Sequence, residues 1–529
     1  MNYAVHDFRE WIALLESQGE LRRVKAEVDW NEEIGAITRM VLSARGPALL
    51  FENIKGYQNK ECSSIMTAGF GNYNRVALGI GLEKGTSEKE MIETYRQGVR
   101  KRIAPVVVMD APVKERIITG DDINLYDLPV PKWHDWDGGR YIDTWNSTIT
   151  KDPETGLHNL GIYRGMICGK DRISKMLALA QHWGQHYSKH QYRNTEMPVA
   201  LVYGAEPLVS FLALSPILHR DCSELDIIGG IKGEPLEVVR CETSDLLVPA
   251  RAEIVIEGTV STDPSTFEME GPFAEHTGYY GGGRSPKPVV KVTCITHRHK
   301  PIFRGSMEGI RPGWPSENSF TESIAMSAAA WNHLEDSGIP GITDVWVNPV
   351  STYLNIFVQV RKAYRGHAKQ IANALWAMSS AYWAYKNVMV VEEDIDIRDY
   401  EQLDWAFAYR VNAGENDLVT FPGTFGSLLD PSTNMEERDA LKYGSGKWTR
   451  LLIDATRNWE HTRWEAWNNS VYPPVIVMTK EIQQAVASRW KEYGLEDIQY
   501  KPTMRIDYDE DIKERYSLSA RPTDETEKD

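Results

Sequence analysis

The residues most able to do chemistry lie in Glu268-Met269-Glu270-Gly271-Pro272-Phe273-Ala274-Glu275-His276-Thr277-Gly278-Tyr279-Tyr280. Three carboxylates and a histidine crowd around a Gly-Pro turn, and Gly281, Gly282 and Gly283 come next. Gly-Pro forbids a continuous helix or central strand, so these acids sit on a bent segment. A bend can turn Glu270 and Glu275 toward one point, which a straight strand does not do for residues at this separation. Two carboxylates held close cannot both ionise easily, and that makes one of them a candidate general acid. A solvated acidic loop would have the same composition, and the stretch alone does not choose between the two.

Other residues of interest are spread along the chain. Asn159-Leu160-Gly161-Ile162-Tyr163-Arg164 lies on a predicted strand, where Asn159 offers a carbonyl oxygen and Arg164 a fork of donors suited to a carboxylate. Strand parity puts those two on opposite faces, so a bulge or strong twist must separate them. His182, His186 and His190 recur every fourth residue, as on a metal-binding helix face or on a surface helix with incidental histidines. Glu224 comes after the loop Ala213-Leu214-Ser215-Pro216, with Asp221 and Asp226 close by. Lys447, in Gly444-Ser445-Gly446-Lys447, reads equally as a phosphate contact and as a solvent-exposed loop lysine.

These residues need elements to position them. Asp7 with Glu10 starts a helix carrying Phe8, Trp11, Ile12 and Leu15 on one face and closed by Gly19. A helix over 32–41 and a strand over 48–52 complete a small α/β cap, 1–105. From 106 the pattern turns to short strands: 106–109, 141–151, 159–170, 198–203, 236–240, 252–258 and 289–296. Asp152-Pro153-Glu154-Thr155-Gly156 makes a hairpin turn between two of them. This pattern predicts a barrel or sandwich. Ser319 with Glu322 is a capping pair for a linking helix, 319–338. Beyond it, strands at 343–347, 354–360 and 388–391 alternate with helices at 366–382 and 399–410, an α/β domain spanning 339–500. A late helix covers 479–493, and a charged tail, 501–529, reads as disordered. Bulky Met307, Ile310, Arg311 and Trp314 are candidates for a pocket lining or for core. The fold class is thus multidomain, α+β with an α/β C-terminal part.

Composition narrows the function. A chain of 529 residues needs two or three cores. Net charge −16 argues against nucleic-acid or anionic-membrane partners. No apolar run reaches the ~18 residues of a membrane span, and MNYAVHDFREW is no apolar signal region. Five scattered cysteines without a CxxC pair fit a reducing compartment, so the expected location is cytoplasmic. Gly79-Ile80-Gly81-Leu82-Glu83-Lys84 has a lysine where a dinucleotide fingerprint needs its third glycine. Neither a Walker sequence nor a G-x-S-x-G elbow is present.

E-G-P-F-A-E at 270–275, followed by H-T-G-Y-Y, resembles the active-site motif of the UbiD family of reversible decarboxylases, which use prenylated FMN. The resemblance extends over 5–495 and includes Glu52-Asn53-Ile54, the 159–164 segment, Tyr364-Arg365-Gly366-His367-Ala368 and Glu392-Glu393-Asp394-Ile395-Asp396-Ile397. Where the family often has Tyr-Pro-Gly-His-Ala, Arg365 replaces the proline, away from the catalytic positions. The resemblance implies a central split β-barrel over 106–318, related to flavin reductases, that binds the cofactor. It implies catalytic roles for Arg164, Glu270 and Glu275, and metal ligation by Asn159, His182 and Glu224. Such an oxygen-rich set suits Mn²⁺, with Mg²⁺ or Fe²⁺ as alternatives, when the flavin phosphate fills further positions; K⁺ is a further candidate ion. Cofactor contacts would come from Asn159, Ile162, Arg164, Gln181, His182, Glu224 and Lys447.

The implied reaction is decarboxylation of an aromatic or heteroaromatic acid, or of an aryl-CoA thioester such as phthaloyl-CoA, with CO₂ as co-product and the reverse direction open. A flavin prenyltransferase would supply the cofactor, and the C-terminal domain would build a homodimer or homohexamer. Two alternatives stand beside this: a flavin reductase-like FMN enzyme, and a non-catalytic UbiD-like subunit of a larger carboxylase.

Overall fold

Asp7 caps the first helix, Phe8–Ser17, by accepting the Glu10 N–H, and Phe8, Trp11, Ile12 and Leu15 are its buried face. This is the start of a computed structural model that describes residues 5–216, 221–311, 313–438, 440–467, 469–473, 475–476 and 478–499. The helix packs on a four-stranded sheet ordered Leu21–Val24, Ala48–Phe51, Ser64–Thr67, Ile302–Arg304. The fourth strand comes from far along the chain, so the N-terminal cap is tied to the segment just beyond the central sheet. Arg304 is ion-paired with Glu317, whose carboxylate also accepts the N–H groups of Ala68 and Phe70 at 3.1 Å each.

The central sheet has eight strands. Its path runs His158–Gly161, Ser147–Lys151, Met197–Tyr203, Ile254–Val260, Val289–His297, Arg172–Lys175, Gly165–Gly169, with Arg116–Thr119 paired to Val289–His297. Seven strands side by side would span about 29 Å if flat. Yet the two end strands are joined through residues 162–164 alone, which reach at most about 14 Å. The sheet therefore curls toward closure and leaves its split at 162–164, and no ladder among the described residues seals that split. This is the barrel-like architecture expected, with the opening placed beside Arg164.

The parity argument is met by an interruption. The predicted strand over 159–170 divides into His158–Gly161 and Gly165–Gly169, and the chain turns at Ile162, Tyr163 and Arg164. Glycine is required on both sides of the turn: a Cβ on Gly161 would lie 2.3 Å from Tyr163 Oη, and one on Gly165 2.2 Å from Asp143 Oδ2. The hairpin at 152–156 forms as expected, pairing Ser147–Lys151 with His158–Gly161. Tyr141 to Asn146, predicted as strand, makes only an isolated bridge from Tyr141 to Met166. Val106–Val107 is a short strand of a separate sheet with Glu237–Arg240 and Leu247–Pro249.

The linking helix, Glu317–Asp336, begins earlier than expected. Its cap is Ser316, which accepts the Ser319 N–H, so Ser319 and Glu322 lie inside the helix and are buried. The C-terminal sheet runs Ile342–Val347, Asn355–Val360, Asn387–Glu392, Gly446–Asp454, Leu418–Gly426. Its three inner strands are parallel, its two edges antiparallel, and helices His367–Trp376 and Tyr400–Arg410 alternate with them. That is the α/β arrangement predicted. The late helix is shorter, Lys480–Ser488, and the charged tail lies outside the described residues. All five cysteines are unpaired. Among the described residues no helix is long and apolar enough to cross a membrane.

Candidate active site

Glu268–Glu270 forms a short ladder with Ser285–Lys287, and Gly271, at φ +97°, turns the chain out of it. Beyond the turn the segment closes on itself: Gly281 N–H donates to Phe273 O at 2.9 Å, and Glu275 N–H to Tyr279 O at 2.9 Å. Phe273 packs at a tilt against Tyr141 with ring centres 4.2 Å apart, which ties the bend to the segment that leads into the central sheet. The bend does turn Glu270 and Glu275 toward one point. That point is a cation, and each carboxylate takes one side of the Arg164 guanidinium.

Arg164 Nη2 donates to Glu270 Oε2 at 2.9 Å, and Nη1 donates to Glu275 Oε1. Both carboxylates are buried. Burial alone would lower the guanidinium pKa; Glu275 and Glu270 outweigh it, and the net direction is upward. Tyr141 Oη donates to Glu270 Oε1 at 2.8 Å, fixing that carboxylate from behind. The Arg164 Nε is buried without a hydrogen-bond partner among the described residues. Next to Glu275, His276 Nδ1 lies 3.6 Å from Oε2, and its Nε2 shares a hydrogen bond with Tyr353 Oη from the C-terminal sheet region. Burial draws the His276 pKa down, so a neutral imidazole is favoured there. Glu268 is set apart, paired with Arg172 at 3.0 Å.

Arg164 itself is aimed by its strand break. Lys175 Nζ donates to Tyr163 O at 2.7 Å and to Asp143 Oδ2 at 2.8 Å, in a pocket sealed from solvent. Asp143 also accepts from Tyr203 Oη.

A cavity of 310 Å³ opens between this cluster and a second group of predicted residues. Asn159, Ile162, Gln181, His182 and Glu224 all line it with Arg164 and Glu275. Asn159 Oδ1 lies 3.0 Å from His182 Nδ1, and His182 is the first residue of the helix His182–Arg193. Glu224 opens the helix Glu224–Lys232 behind a Ser223–Asp226 capping box, and its Oε2 accepts the Leu160 N–H at 3.1 Å. Burial pushes its carboxyl up to about 7. Asp226 is used in the cap and Asp221 is exposed, which leaves Glu224 as the acid of the three that lines the cavity. Among the described residues no three His, Cys, Asp or Glu side chains gather as a metal site, so any ion here would need the asparagine.

Lys447, which the resemblance placed at the cofactor, is elsewhere, and so are His186 and His190, which it did not include. His186 Nδ1 bonds Thr150 Oγ1 at 2.9 Å and His190 Nδ1 bonds Thr195 Oγ1 at 2.9 Å, both outside the cavity lining. Lys447 is not brought to the cavity: its side chain is exposed and its ammonium pairs with Glu437 at 2.8 Å. Met307 and Ile310 are core, and Arg311 stacks on Trp314 at 4.3 Å. In their place Glu308 and Glu322 line the cavity; no sequence signal singles out Glu308, and Glu322 enters the sequence reading only as a helix-capping residue. Glu308 accepts from Ser306 at 2.8 Å and Ser316 at 3.1 Å, and burial pushes its carboxyl up to about 8.

The UbiD family models match in chain order. The 3-octaprenyl-4-hydroxybenzoate carboxy-lyase N-terminal domain matches residues 12–95, its Rift-related domain 106–311 and its C-terminal domain 320–455. Among solved structures, vanillic acid decarboxylase of Sedimentibacter hydroxybenzoicus, in closed form, is 30% identical, with TM-score 0.81 over 93% of this chain and 99% of that one. The UbiD-class enzyme HmfF of Pelotomaculum thermopropionicum, in complex with FMN, is 30% identical, with TM-score 0.75 over 90% of this chain and 98% of that one. A 3,4-dihydroxybenzoic acid decarboxylase of Enterobacter cloacae is 25% identical, with TM-score 0.74 over 91% of this chain and 99% of that one.

Proposed function

The chain belongs to the UbiD family of carboxy-lyases, and from that premise we propose that it is a reversible, prenylated-FMN-dependent decarboxylase of an aromatic or heteroaromatic carboxylic acid or aryl-CoA thioester. One observation carries the proposal: a buried guanidinium held between two carboxylates at the wall of a cavity large enough for flat rings. The relatives add weight, since two of them are decarboxylases of vanillic acid and of 3,4-dihydroxybenzoic acid and a third is a complex with FMN.

Prenylated FMN, when bound, supplies the electron sink that loss of CO₂ from an sp² carbon requires. Arg164 holds the substrate carboxylate beside the reacting carbon, and Glu270, braced by Tyr141, keeps the guanidinium in place. Glu275 delivers the proton that replaces CO₂, so the carbon–carboxylate bond breaks and a carbon–hydrogen bond forms at the same atom. Phe273 and the His276–Tyr353–Trp383 cluster exclude water from that proton.

Asn159, His182 and Glu224 fit a divalent cation with a flavin phosphate. The buried Glu224 has backbone N–H donors and, among the described residues, no cationic side chain to balance it, and Asn159 Oδ1 meets His182 Nδ1 at 3.0 Å on the same wall. Ile162 and Gln181 would contact the cofactor. Mn²⁺ is the ion proposed, with Mg²⁺ or Fe²⁺ as alternatives and K⁺ as a further ion. In this reading residues 1–105 cap the site, 106–318 hold the cofactor, 319–338 link, and 339–500 mediate a homodimer or homohexamer. Exposed Tyr409, Trp464 and Ile476 support such an assembly.

The test is expression with and without a flavin prenyltransferase, followed by a screen of aromatic, heteroaromatic and aryl-CoA acids for CO₂ release. Activity that needs the prenyltransferase is expected. Full activity with plain FMN, or NAD(P)H oxidation in place of CO₂ release, would overturn the proposal.

A further inference from the structure

Two side chains of the cavity wall take no part in the Arg164 arrangement. The helix Glu317–Asp336 passes its first turns along the cavity, and Asn318 and Glu322 line it. They are four residues apart, so they stand one above the other on a single helix face. Glu322 is 7% exposed, and its Oε2 has no hydrogen-bond partner among the described residues. Asn318 Oδ1 is buried and unpartnered in the same way. Neighbouring Glu308 differs, because the hydroxyls of Ser306 and Ser316 satisfy it. Ser380 Oγ and Arg164 Nε also line the cavity without partners among the described residues, but Asn318 and Glu322 are the two such side chains that share one helix face. Buried polar groups are nearly always paired, so an unpaired couple at a ligand cavity is a place for a ligand's polar atom.

The chemistry of that atom is set by its surroundings. Burial, with the charge of Glu308 adding to it, raises the Glu322 pKa well above the usual carboxyl range, which favours the neutral acid. A neutral carboxyl and a primary amide each both donate and accept, which suits a hydroxyl, a group that also does both. A second carboxylate would meet two acids here, with no cation beside them among the described residues. The cavity thus has an anion-binding end at Arg164 and a hydroxyl-binding wall on the long helix.

We infer that Asn318 and Glu322 recognise an uncharged hydroxyl on the ring of the substrate, which selects hydroxyaromatic acids over unsubstituted aromatic acids and over aromatic dicarboxylates. The inference rests on the decarboxylase reading of this cavity. A ring without the hydroxyl leaves both side chains unpaired, and a site built to bond a hydroxyl rejects such analogues strongly.

Cofactor-loaded wild-type protein, Glu322→Leu and Glu322→Gln are titrated by calorimetry with benzoate, the meta- and para-hydroxybenzoates, and terephthalate. At least one hydroxybenzoate should bind wild type about tenfold or more tighter than benzoate, with terephthalate weakest. Glu322→Leu should erase that advantage without weakening benzoate, and Glu322→Gln should keep part of it. Binding of all four acids within about twofold by wild type overturns the inference, as does equal weakening of benzoate and hydroxybenzoate in both variants. Should the leucine variant not fold, wild type and Glu322→Gln decide. A hydroxyl preference without CO₂ release from any acid refutes the decarboxylase reading and leaves the recognition intact; CO₂ release without a hydroxyl preference does the reverse.

Discussion

Lys175 Nζ lies 2.8 Å from Asp143 Oδ2, and both side chains are wholly sealed from solvent. The same ammonium holds the carbonyl of Tyr163, the residue before Arg164. The pair therefore couples the stability of the central sheet to the aim of the catalytic guanidinium. Lys175→Met leaves a buried carboxylate with, among the described residues, only Tyr203 as partner and should cost about 3–5 kcal/mol. Lys175→Met with Asp143→Leu should recover much of that stability and little of the activity, because the 162–164 turn still lacks its anchor. Urea unfolding alongside kcat/KM reads both; a single variant within about 1 kcal/mol of wild type would remove the pair from this role.

Asn159, His182 and Glu224 are proposed to act through a cation, so their loss should show in bound groups before it shows in turnover. His182→Ala and Glu224→Ala should each lose metal and flavin together, since phosphate charge then goes uncompensated. Metal analysis and flavin absorbance of the purified variants measure this directly. Wild-type occupancy of both groups would mean that other residues hold the cofactor.

Glu308 gives the stability a pH dependence. Burial is the main cause that raises its folded pKa to about 8 from an ordinary 4.5, with the Glu317 and Glu275 charges assisting and two serine hydroxyls opposing. Between those values the folded chain keeps a proton that the unfolded chain has released, so stability falls as pH rises. The contribution is full below the lower value and lost above the upper one, with a slope of at most about 1.4 kcal/mol per pH unit. Glu308→Gln should flatten the decline in unfolding midpoint between about pH 6 and 8.5. Equal slopes for variant and wild type would place the titrating group elsewhere.

How much of the site was legible in the sequence depends on the range of each interaction. Parity between Asn159 and Arg164 demanded a bulge or strong twist, because alternation is a local property of the chain, and the chain meets the demand with a full break at 162–164. The Gly-Pro bend was equally local. The cation between Glu270 and Glu275 was not local, since Arg164 reaches them across more than 100 residues; the family resemblance, and not spacing, implied an Arg164–Glu270 pair. Glu308 and Glu322 were hidden for the same reason: their chemistry comes from burial, and burial is set by tertiary packing. The helix start was misplaced because Ser316 and Ser319 both have capping chemistry, and the chain uses the earlier one. Lys447 looked like a phosphate ligand by its glycine-rich neighbours, yet the strand Gly446–Asp454 presents it to solvent beside Glu437.

Glu270 and Glu275 bond the same guanidinium but should fail differently when changed. Glu275→Gln keeps the shape and cannot release a proton, so turnover should fall by about 10²–10⁴-fold while flavin stays bound. Glu270→Gln weakens the brace on Arg164, and the substrate carboxylate then loses its orientation. Exchange of the substrate carboxylate with labelled CO₂ separates the two. Cleavage and recombination of the carbon–carboxylate bond need no proton, so exchange should survive in Glu275→Gln, whereas a misaimed Arg164 should suppress exchange and turnover together. If Glu275→Gln turns over within a few-fold of wild type, the donor is another residue. His276 is then the first to test, since it lines the cavity beside Glu275, whereas Glu268 is paired with Arg172 outside the lining.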